Sequence, residues 1–354
     1  MNEVSWDRGV RTLERLSHRA LDPAEFRHES LGVLRSFVSI DAAFFATVDP
    51  ATLLFTGALA EEPLAAATPL FLDNEFGRDD VNKFSRLAQA SDSIGTLDNA
   101  TGGDRTASAR YREVLRPLGL GDELRVTLAS SGRCWGVLCL HRQDALVGFG
   151  ADEIAFVRRL APHLGDGLRR GVTLFASASD SSTVDGPGVI IVGGDLSVVS
   201  INAQADDWLS QLRDTASSAH LDLPLPIYAA AARALGYEHD GVQTPAMTRL
   251  RRVDGGWLTV HASLLAGPSG PQAAVILDAA HASDLSSLVL AAHGLTPAQS
   301  RVAALVVQGR STRHIVAELH ISSNTVQEHL RAVFDKFGIG SRRELVAALS
   351  GLSR

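Results

Sequence analysis

Four sets of helix start and stop signals fall within residues 295–354 of the chain. Thr296 is a suitable N-cap, Pro297 fits the first helical position, and Gln299 can close a capping box. Gly309 then predicts the end of this helix, because glycine readily adopts the left-handed conformation that follows a last helical turn. Similar signals predict a second helix to residue 319, a third over 324–337 and a fourth from residue 341.

Apolar residues recur along these four helices at spacings of three and four, which is the period of one helix face. A segment this short has room for one core, so the second and third helices must cross with their outer faces exposed, as in a helix-turn-helix. The outer face of the third helix would then carry Asn324, Gln327, Glu328 and Arg331. The predicted core residues are Val302, Leu305, Ile315, Leu319, Ile321, Val326, Leu330, Val333, Phe334, Phe337, Ile339 and Leu345.

Charge is divided unevenly along the chain. The 354 residues carry a net charge of −7, yet residues 294–354 contain eight Arg or Lys and four acids, a balance of +4 that leaves −11 on the rest. A basic end on an acidic body is typical of a nucleic-acid-binding module, although many C-terminal helices are basic without having that role.

The C-terminal segment resembles the LuxR-type DNA-binding domain. The resemblance implies that the third helix lies in the major groove of double-stranded DNA, with Gln327, Glu328 and Arg331 at base-reading positions on the same face as Asn324. It also implies that Ser323, Thr325 and His329 lie near phosphates, and that the fourth helix holds a homodimer together through Leu345 and Leu349. The matching residues include Leu295, Thr296, Val302, Gly309, Ser311, Ile315, Leu319, Ile321, Ser322, Thr325, Val326, His329, Leu330, Lys336, Phe337, Ile339, Ser341 and Arg342.

The segment departs from the family pattern at Gln299, His314, Val316 and Gln327, where the family usually has Glu, Glu, Ala and Lys. Glutamine at position 327 keeps hydrogen-bonding groups but lacks the lysine charge. We therefore expect base readout to shift from guanine toward adenine, with weaker nonspecific affinity for DNA.

Residues 1–175 mix helical and strand patterns. Helical patterns cover about 7–20 and 23–38, strand patterns cover 42–48 and 53–59, and a hairpin pattern covers 124–142 before a long helix that starts near residue 152. The stretches 121–125 and 135–142, together with the long helix, resemble a GAF sensory domain. That resemblance implies a central antiparallel sheet with helices on one face and, often, a small ligand on the other.

The long helix carries a heptad-like row of apolar or small residues. One interpretation is that this row packs on the sheet of its own domain, and the other is that it forms a dimer seam. The row consists of Ile154, Val157, Ala161, Leu164, Leu168, Gly171 and Phe175.

Residues 186–280 show the order strand, strand, helix, helix and further strands, which resembles a PAS domain. The stretches 176–188 and 279–294 read as linkers. We therefore predict a multidomain α+β protein, with a GAF-like domain at 1–175, a PAS-like domain at 186–280 and an all-α DNA-binding domain at 294–354.

The two hairpin strands carry apolar residues on both faces, so the predicted sheet must be covered twice. Segment 60–120 is available as a lid over the second face, where Trp135 and His141 are expected beside Cys139. We predict an apolar cavity under this lid for a small apolar or aromatic molecule, while the alternative is that the same aromatic residues fill the core. The candidate ligand-binding residues are Phe71, Phe76, Phe84, Tyr111, Arg125 and Trp135.

Signatures of other chemistry are missing from the sequence. It has no Walker loop, G-x-G-x-x-G, G-x-S-x-G or H-E-x-x-H motif, so we expect no enzyme activity, no cofactor and no bound metal. The two cysteines, Cys134 and Cys139, cannot make a disulfide framework. No apolar run approaches the ~18 residues of a membrane span, and no signal peptide is visible, so we expect a cytoplasmic protein without membrane contact.

These features predict a ligand-responsive bacterial transcription factor that binds a two-fold symmetric operator as a homodimer. In an alternative prediction, the N-terminal domains bind a partner protein and no small molecule. A deep cavity would favour the first alternative and a filled core would favour the second.

Overall fold

The computed structural model describes residues 3–19, 21–143, 148–174, 186–213, 221–236, 244–267 and 270–350. The strands are β1 (Ala42–Val48), β2 (Phe55–Ala60), β3 (Ile94–Thr96), β4 (Leu120–Ser130), β5 (Arg133–Gln143), β6 (Gly188–Gly193), β7 (Val198–Ile201), β8 (Met247–Arg251), β9 (Trp257–Gly267) and β10 (Gly270–Ala279). The helices are α1 (Glu3–Ser17), α2 (Pro23–Arg35), α3 (Thr68–Gly77), α4 (Phe84–Leu87), α5 (Leu97–Thr101), α6 (Ala151–Leu174), α7 (Ala203–Ser210), α8 (Leu225–Leu235), α9 (Ala282–Ala292), α10 (Pro297–Val307), α11 (Thr312–Leu319), α12 (Ser323–Phe337) and α13 (Arg342–Ser350).

These elements form two five-stranded antiparallel sheets with helices, followed by a helical C-terminal domain, which confirms the predicted fold class. The first sheet has the order β2-β1-β5-β4-β3, and the second repeats that order as β7-β6-β10-β9-β8. The domain boundaries themselves stay predictions. Among the described residues, no helix is both long and apolar enough to cross a membrane.

The predicted hairpin is formed by β4 and β5. Its two turn residues, Ser131 and Gly132, both have positive φ, at 53° and 73°, as a two-residue turn that matches the twist of the strands requires. The strands pair beyond the predicted limits, and Arg125 lies opposite Cys139.

A β-bulge at Trp135 changes which face its side chain occupies. Leu128 pairs with Gly136, and Ala129 pairs with Cys134, so Trp135 is an extra residue in β5. Trp135 therefore packs with Leu138 in the core beneath the helices, whereas Cys139 packs in the core on the opposite face. The expectation that Trp135 shares a face with Cys139 and His141 is wrong, because simple alternation does not hold through a bulge.

The row of apolar residues on α6 packs against the sheet of its own domain. Val157, Ala161, Leu164 and Leu168 are each at most 4% exposed, within the core that also contains β4 and β5 residues. The prediction that these four residues form a dimer seam is therefore wrong. The row begins at the half-buried Ile154 and includes Gly171, which is also buried, while its last member, Phe175, lies outside the described residues.

Close packing explains the small residues on the same helix. A Cβ atom at Gly165 would lie 2.8 Å from the carbonyl oxygen of Ala129, and a Cβ at Gly167 would lie 2.1 Å from the Phe26 ring. Side chains at these positions would push α6 away from β4 and from α2. The spacing of the row thus reflects contact with a sheet and a neighbouring helix.

Residues 279–294 are predicted to be a linker, but most of them form α9, which is a buried helix. Leu285, Leu288 and Val289 are each at most 4% exposed, within the core that includes both α6 and α10. Arg169 of α6 also donates a hydrogen bond to the carbonyl oxygen of Ala292. Helix α9 therefore joins the N-terminal domain to the C-terminal domain by packing.

Candidate functional sites

Helices α10 to α13 form the predicted helix-turn-helix and its supports. The Thr296 side chain accepts the N–H of Gln299, and the Gln299 side chain accepts the N–H of Thr296, so the expected capping box is present. Ser322 caps α12 by accepting the N–H of Thr325 at 3.0 Å, and Gly338 ends it in the left-handed conformation. Val326, Leu330 and Val333 are buried, so α12 turns its other face outward.

The outward face of α12 carries the residues expected to meet DNA. Asn324, Gln327, Glu328 and Arg331 are exposed and follow one another at helical spacings of three, one and three. The Asn324 amide donates to the Glu328 carboxylate at 2.9 Å, which orients both side chains along the helix.

Residues assigned to phosphate contact lie at the edges of the same face. Ser323 is exposed, whereas Thr325 and His329 are half-buried, and the Thr325 hydroxyl is 2.9 Å from the Ser322 hydroxyl. The basic side chains Arg310, Arg313 and Arg343 of this domain are exposed around the helix-turn-helix. The arrangement can therefore insert α12 into a groove with cations beside it.

Leu345 and Leu349 of α13 do not face outward. They are 0% and 1% exposed, packed in the core that also holds Val302 and Leu290. Their assignment to a dimer contact is therefore wrong, because the apolar side of α13 is needed to close its own domain. The outer side of α13 exposes Ala347 and Ala348.

The second face of the first sheet is covered by segment 60–120, and buried charges lie beneath that cover. Arg110 donates to one Glu123 carboxylate oxygen from Nε at 2.9 Å and from Nη2 at 2.7 Å. Arg125 donates from Nη2 to Glu75 at 2.6 Å. With His141, whose Nε2 is 3.9 Å from Glu123 Oε1, these side chains form what we call the buried polar cluster.

Burial and neighbouring charges shift the pKa values of Glu123 and His141 in the buried polar cluster. Burial alone would raise the pKa of Glu123, but the Arg110 and Arg125 guanidiniums lower it below its ordinary value. Burial lowers the pKa of His141 to about 4, although Glu123 opposes the change, so the imidazole is neutral at pH 7. Two guanidiniums thus face two carboxylates and one neutral imidazole.

Several donors and acceptors in this cluster lack a hydrogen bond. They are Nε and Nη1 of Arg125, Oε1 of Glu123 and both ring nitrogens of His141. Arg125 is held from above by the Phe84 ring, whose centroid is 3.9 Å from its guanidinium carbon.

In the part of the chain that the structure describes, Glu123, Cys139 and His141 form the one group of donors suited to a metal, with all three ligand atoms within 4.8 Å of one another. A cation fits poorly there, because the Arg110 guanidinium already binds the Oε2 oxygen of Glu123 and Arg125 adds a second positive charge nearby. Burial also raises the pKa of the Cys139 thiol, which keeps it protonated.

The predicted ligand cavity under the cover is not present. The space lined by Phe44, Phe71 and His141 has a volume of about 10 Å³, room for about one water molecule. Phe71 packs on Phe44 with ring centroids 4.8 Å apart, and Phe76 and Phe84 are likewise buried, so the aromatic residues fill the core.

The remaining candidate ligand residues are dispersed. Tyr111 is half-buried in a π-helical turn within the cover, and Arg125 is committed to Glu75. Trp135 lies on the opposite face of the sheet, where it lines a separate cavity beside the middle domain. The predicted ligand-binding residues therefore lie on two opposite faces of the first sheet and do not form one site.

A buried ion pair at the junction of the domains was missed by the sequence analysis. Arg249 of β8 donates from Nε and Nη2 to the two carboxylate oxygens of Asp49, both at 2.7 Å. Arg249 also donates to the Asp284 carbonyl oxygen and to the Ser287 hydroxyl of α9. Position 249 is 200 residues from position 49, so no local pattern could have revealed the pair.

The chain thus has an exposed recognition-type helix in its C-terminal part and a sheet covered on both faces in its N-terminal part. Residues 293–349 match the family model of the luxR family of bacterial regulatory proteins, and residues 30–168 match the GAF domain model. The chain therefore has a LuxR-type helix-turn-helix at its C-terminal end and a GAF domain in its N-terminal part. A comparison with the curated proteins found no significant match.

Solved structures resemble parts of the chain. The VqsR LBD domain from Pseudomonas aeruginosa is 20% identical and aligns over 48% of this chain and 97% of its own, with a TM-score of 0.32. The phage VqmA–DPO complex is 17% identical over 46% of this chain and 82% of its own, with a TM-score of 0.19. The DhaR(N)–DhaL complex of E. coli is 14% identical and aligns over 78% of this chain and 88% of its own, with a TM-score of 0.25.

Proposed function

We propose that this protein is a ligand-responsive bacterial transcription factor that binds a two-fold symmetric operator as a homodimer. The observation that carries the proposal is the outward face of α12, where Asn324, Gln327, Glu328 and Arg331 are exposed while the opposite face is buried. A helix held in this way by two others can enter the major groove without disturbing its domain.

The proposed readout follows from the hydrogen-bonding groups on that face. Arg331 can donate two hydrogen bonds to guanine, Gln327 suits adenine, and Glu328 can accept from the amino group of cytosine. Ser323, Thr325 and His329 would then contact phosphates and fix the position of the helix without reading sequence. The +4 charge of residues 294–354 supports affinity that falls steeply with salt.

The homodimer is proposed to form through the outer side of α13. Ala347 and Ala348 are exposed there, and their small side chains allow a second α13 to approach closely. One α12 reads one half-site, so a two-fold pair of chains would explain how enough base pairs are read for specific binding. The PAS-like nature of the middle domain is also a proposal, supported by its sheet having the same strand order as the first.

The test is selection of binding sites from random double-stranded DNA with the full-length chain. We expect an enriched inverted repeat, and Arg331→Ala should lose about 1–3 kcal/mol on that site. Arg158→Ala, which removes an exposed cation of α6 far from the helix-turn-helix, is the matched control and should bind normally. Equal affinity of the Arg331 variant, or no enriched sequence, would contradict the assignment of α12.

A second candidate function has a specific observation in its favour. The filled core under segment 60–120 supports regulation by a partner protein that binds the N-terminal domains. The outer face of the second sheet exposes Leu265 and Ile276 by 41% and 43%, so an apolar contact surface is available. Ile276→Lys should abolish regulation while preserving DNA affinity if this alternative holds, and should change neither if a small molecule is the signal.

A further inference from the structure

A cleft of about 280 Å³ lies between the first sheet, α9 and α10, and we call it the interdomain cleft. The turn between β1 and β2 supplies Pro50 and Ala51 to its walls, α9 supplies Leu288 and Leu290, and α10 supplies Ala304. The volume is nearly twice the ~150 Å³ of an apolar cavity known to hold benzene. A molecule with roughly ten non-hydrogen atoms therefore fits in the cleft.

Two arginines that line the interdomain cleft are free to bind an anion. Arg133, at the start of β5, is half-buried, and Arg301 of α10 is exposed. Within the residues that the structure describes, neither guanidinium has an ion-pair or hydrogen-bond partner. A third arginine in the lining, Arg249, is neutralised by Asp49, to which it donates two hydrogen bonds of 2.7 Å. No acid is among the described residues of the lining, so two positive charges there are uncompensated.

A hydroxyl group in the same lining also lacks a partner. Ser300 Oγ is buried and forms no hydrogen bond with the described part of the chain. The hydroxyl of Ser287, by contrast, donates to the Asp284 carbonyl oxygen and accepts from Arg249. A buried polar group without a partner destabilises a protein, and a ligand that supplies the partner removes that cost.

We propose that the interdomain cleft binds an organic monocarboxylate with a compact apolar body. The carboxylate lies between Arg133 and Arg301, and the apolar body lies against Ala304 and the leucines of α9. A guanidinium donates two parallel hydrogen bonds to a carboxylate, so two guanidiniums supply enough donors for both oxygens. A single negative charge suits the cleft, because the aliphatic walls would leave any further charge without a polar partner.

Such a ligand contacts two domains at once, and its regulatory role rests on the proposed function above. Arg133 belongs to the first sheet, whereas Arg301 belongs to α10, whose Val302 is in the same core as Val326 of α12. A carboxylate held by both arginines therefore favours the arrangement in which the two domains are in contact. Any change in DNA affinity that it causes must be matched by an equal change in its own affinity when DNA is bound.

The experiment is isothermal titration calorimetry of the full-length protein with sodium phenylacetate and, separately, with phenylacetamide and sodium chloride. Phenylacetamide has nearly the same shape without the charge, and the chloride series measures the effect of ionic strength. We expect saturable binding of phenylacetate, with the amide bound at least about tenfold more weakly. Phenylacetate should also raise the melting temperature, since ligand binding to the folded state stabilises it.

Three variants locate the binding. Arg133→Met and Arg301→Met each remove one charge and keep an extended stem, so each should raise the Kd for phenylacetate roughly tenfold. Ala304→Leu narrows the cleft while every charge remains, and it should weaken binding as well. Arg116→Met, which removes an exposed arginine near the opposite end of β4 from the hairpin turn, should bind as the unaltered chain does. The melting temperature of each variant without ligand verifies that it is folded.

The proposal is overturned if phenylacetate binds no more tightly than its amide, or if both arginine variants keep the original Kd. Affinity for selected DNA is measured in the same samples without carboxylate. Absence of carboxylate binding with intact DNA binding refutes the interdomain site alone, whereas failure to bind any DNA sequence refutes the proposed function.

Discussion

The buried pair of Asp49 and Arg249 offers a stringent test of how the domains are joined. Asp49→Asn keeps the size of the side chain but removes its charge, and the new amide group places a donor against the guanidinium of Arg249. Both original side chains are at most 1% exposed, so water cannot solvate the arginine that remains. Breaking a buried ion pair from one side typically costs about 3–5 kcal/mol.

That loss corresponds to a lower melting temperature of about 4–7 °C for a chain of 354 residues, given the usual entropy of unfolding per residue. Arg249→Met should also destabilise, but less, because Asp49 still accepts the N–H of Ala51 at 2.9 Å. The double variant should cost less than the two single changes added together, since it leaves no unpaired buried charge.

The assay is urea denaturation followed by tryptophan fluorescence, with Asp92→Asn as the matched control. Asp92 and its partner Arg158 have side chains that are 55% and 47% exposed, so losing that pair should cost about 0–1 kcal/mol. If Asp49→Asn is no less stable than Asp92→Asn, the reasoning about a desolvated junction is refuted.

Three further outcomes are expected. Buried His141 has a pKa of about 4, below the ordinary value of about 6.5, so the unfolded state binds more protons than the folded state between those two pH values. The free energy of unfolding should therefore fall as the pH drops from about 6.5 to about 4. Urea titrations of His141→Gln should show a smaller fall over the same pH range. Burial raises the pKa of Cys134 to about 11 and also raises the pKa of Cys139, so a thiol reagent at pH 8 should label both cysteines only after unfolding. Rapid labelling of the native protein would contradict their burial. Leu164→Asp should unfold the N-terminal domain, because Leu164 is fully buried against the sheet of that domain, and circular dichroism should report the loss of structure. A folded variant with altered association would instead support the dimer-seam interpretation.

The helix-turn-helix could be predicted from sequence because its information is local. Caps such as Thr296 and Ser311 lie within three residues of the groups that they bind, and the helix stop at Gly338 depends on one residue's backbone freedom. The exposed face of α12 then follows from helical period alone.

The candidate site in the N-terminal domain could not be predicted to the same extent. Arg125 lies on the opposite face of β4 from Leu124 and Val126, as alternation along a strand requires, but its partner Glu75 is 50 residues away in α3. The bulge at Trp135 has no sequence signal of its own, yet it moves the indole to the other face.

Helix α9 was missed for a related reason. Its N-cap position is occupied by His281, which makes no side-chain capping hydrogen bond, so the usual start signal is absent. Its apolar residues also surround much of the helix, because it is buried by the N-terminal domain on one side and by α10 and α13 on the other.

Because α9 belongs to both neighbouring cores, thermal denaturation should be cooperative across the chain. A single continuous set of buried apolar residues runs from Leu13 of α1 through α6 and α9 to Leu349 of α13. A C-terminal fragment that begins just before α9 would expose the apolar surface of α9. A fragment that begins just after α9 would expose the part of α10 that α9 covers. The isolated C-terminal domain is therefore a poorer reporter of DNA binding than the full chain, and loss-of-stability substitutions in the sensory domain should reduce the abundance of the whole regulator in the cell.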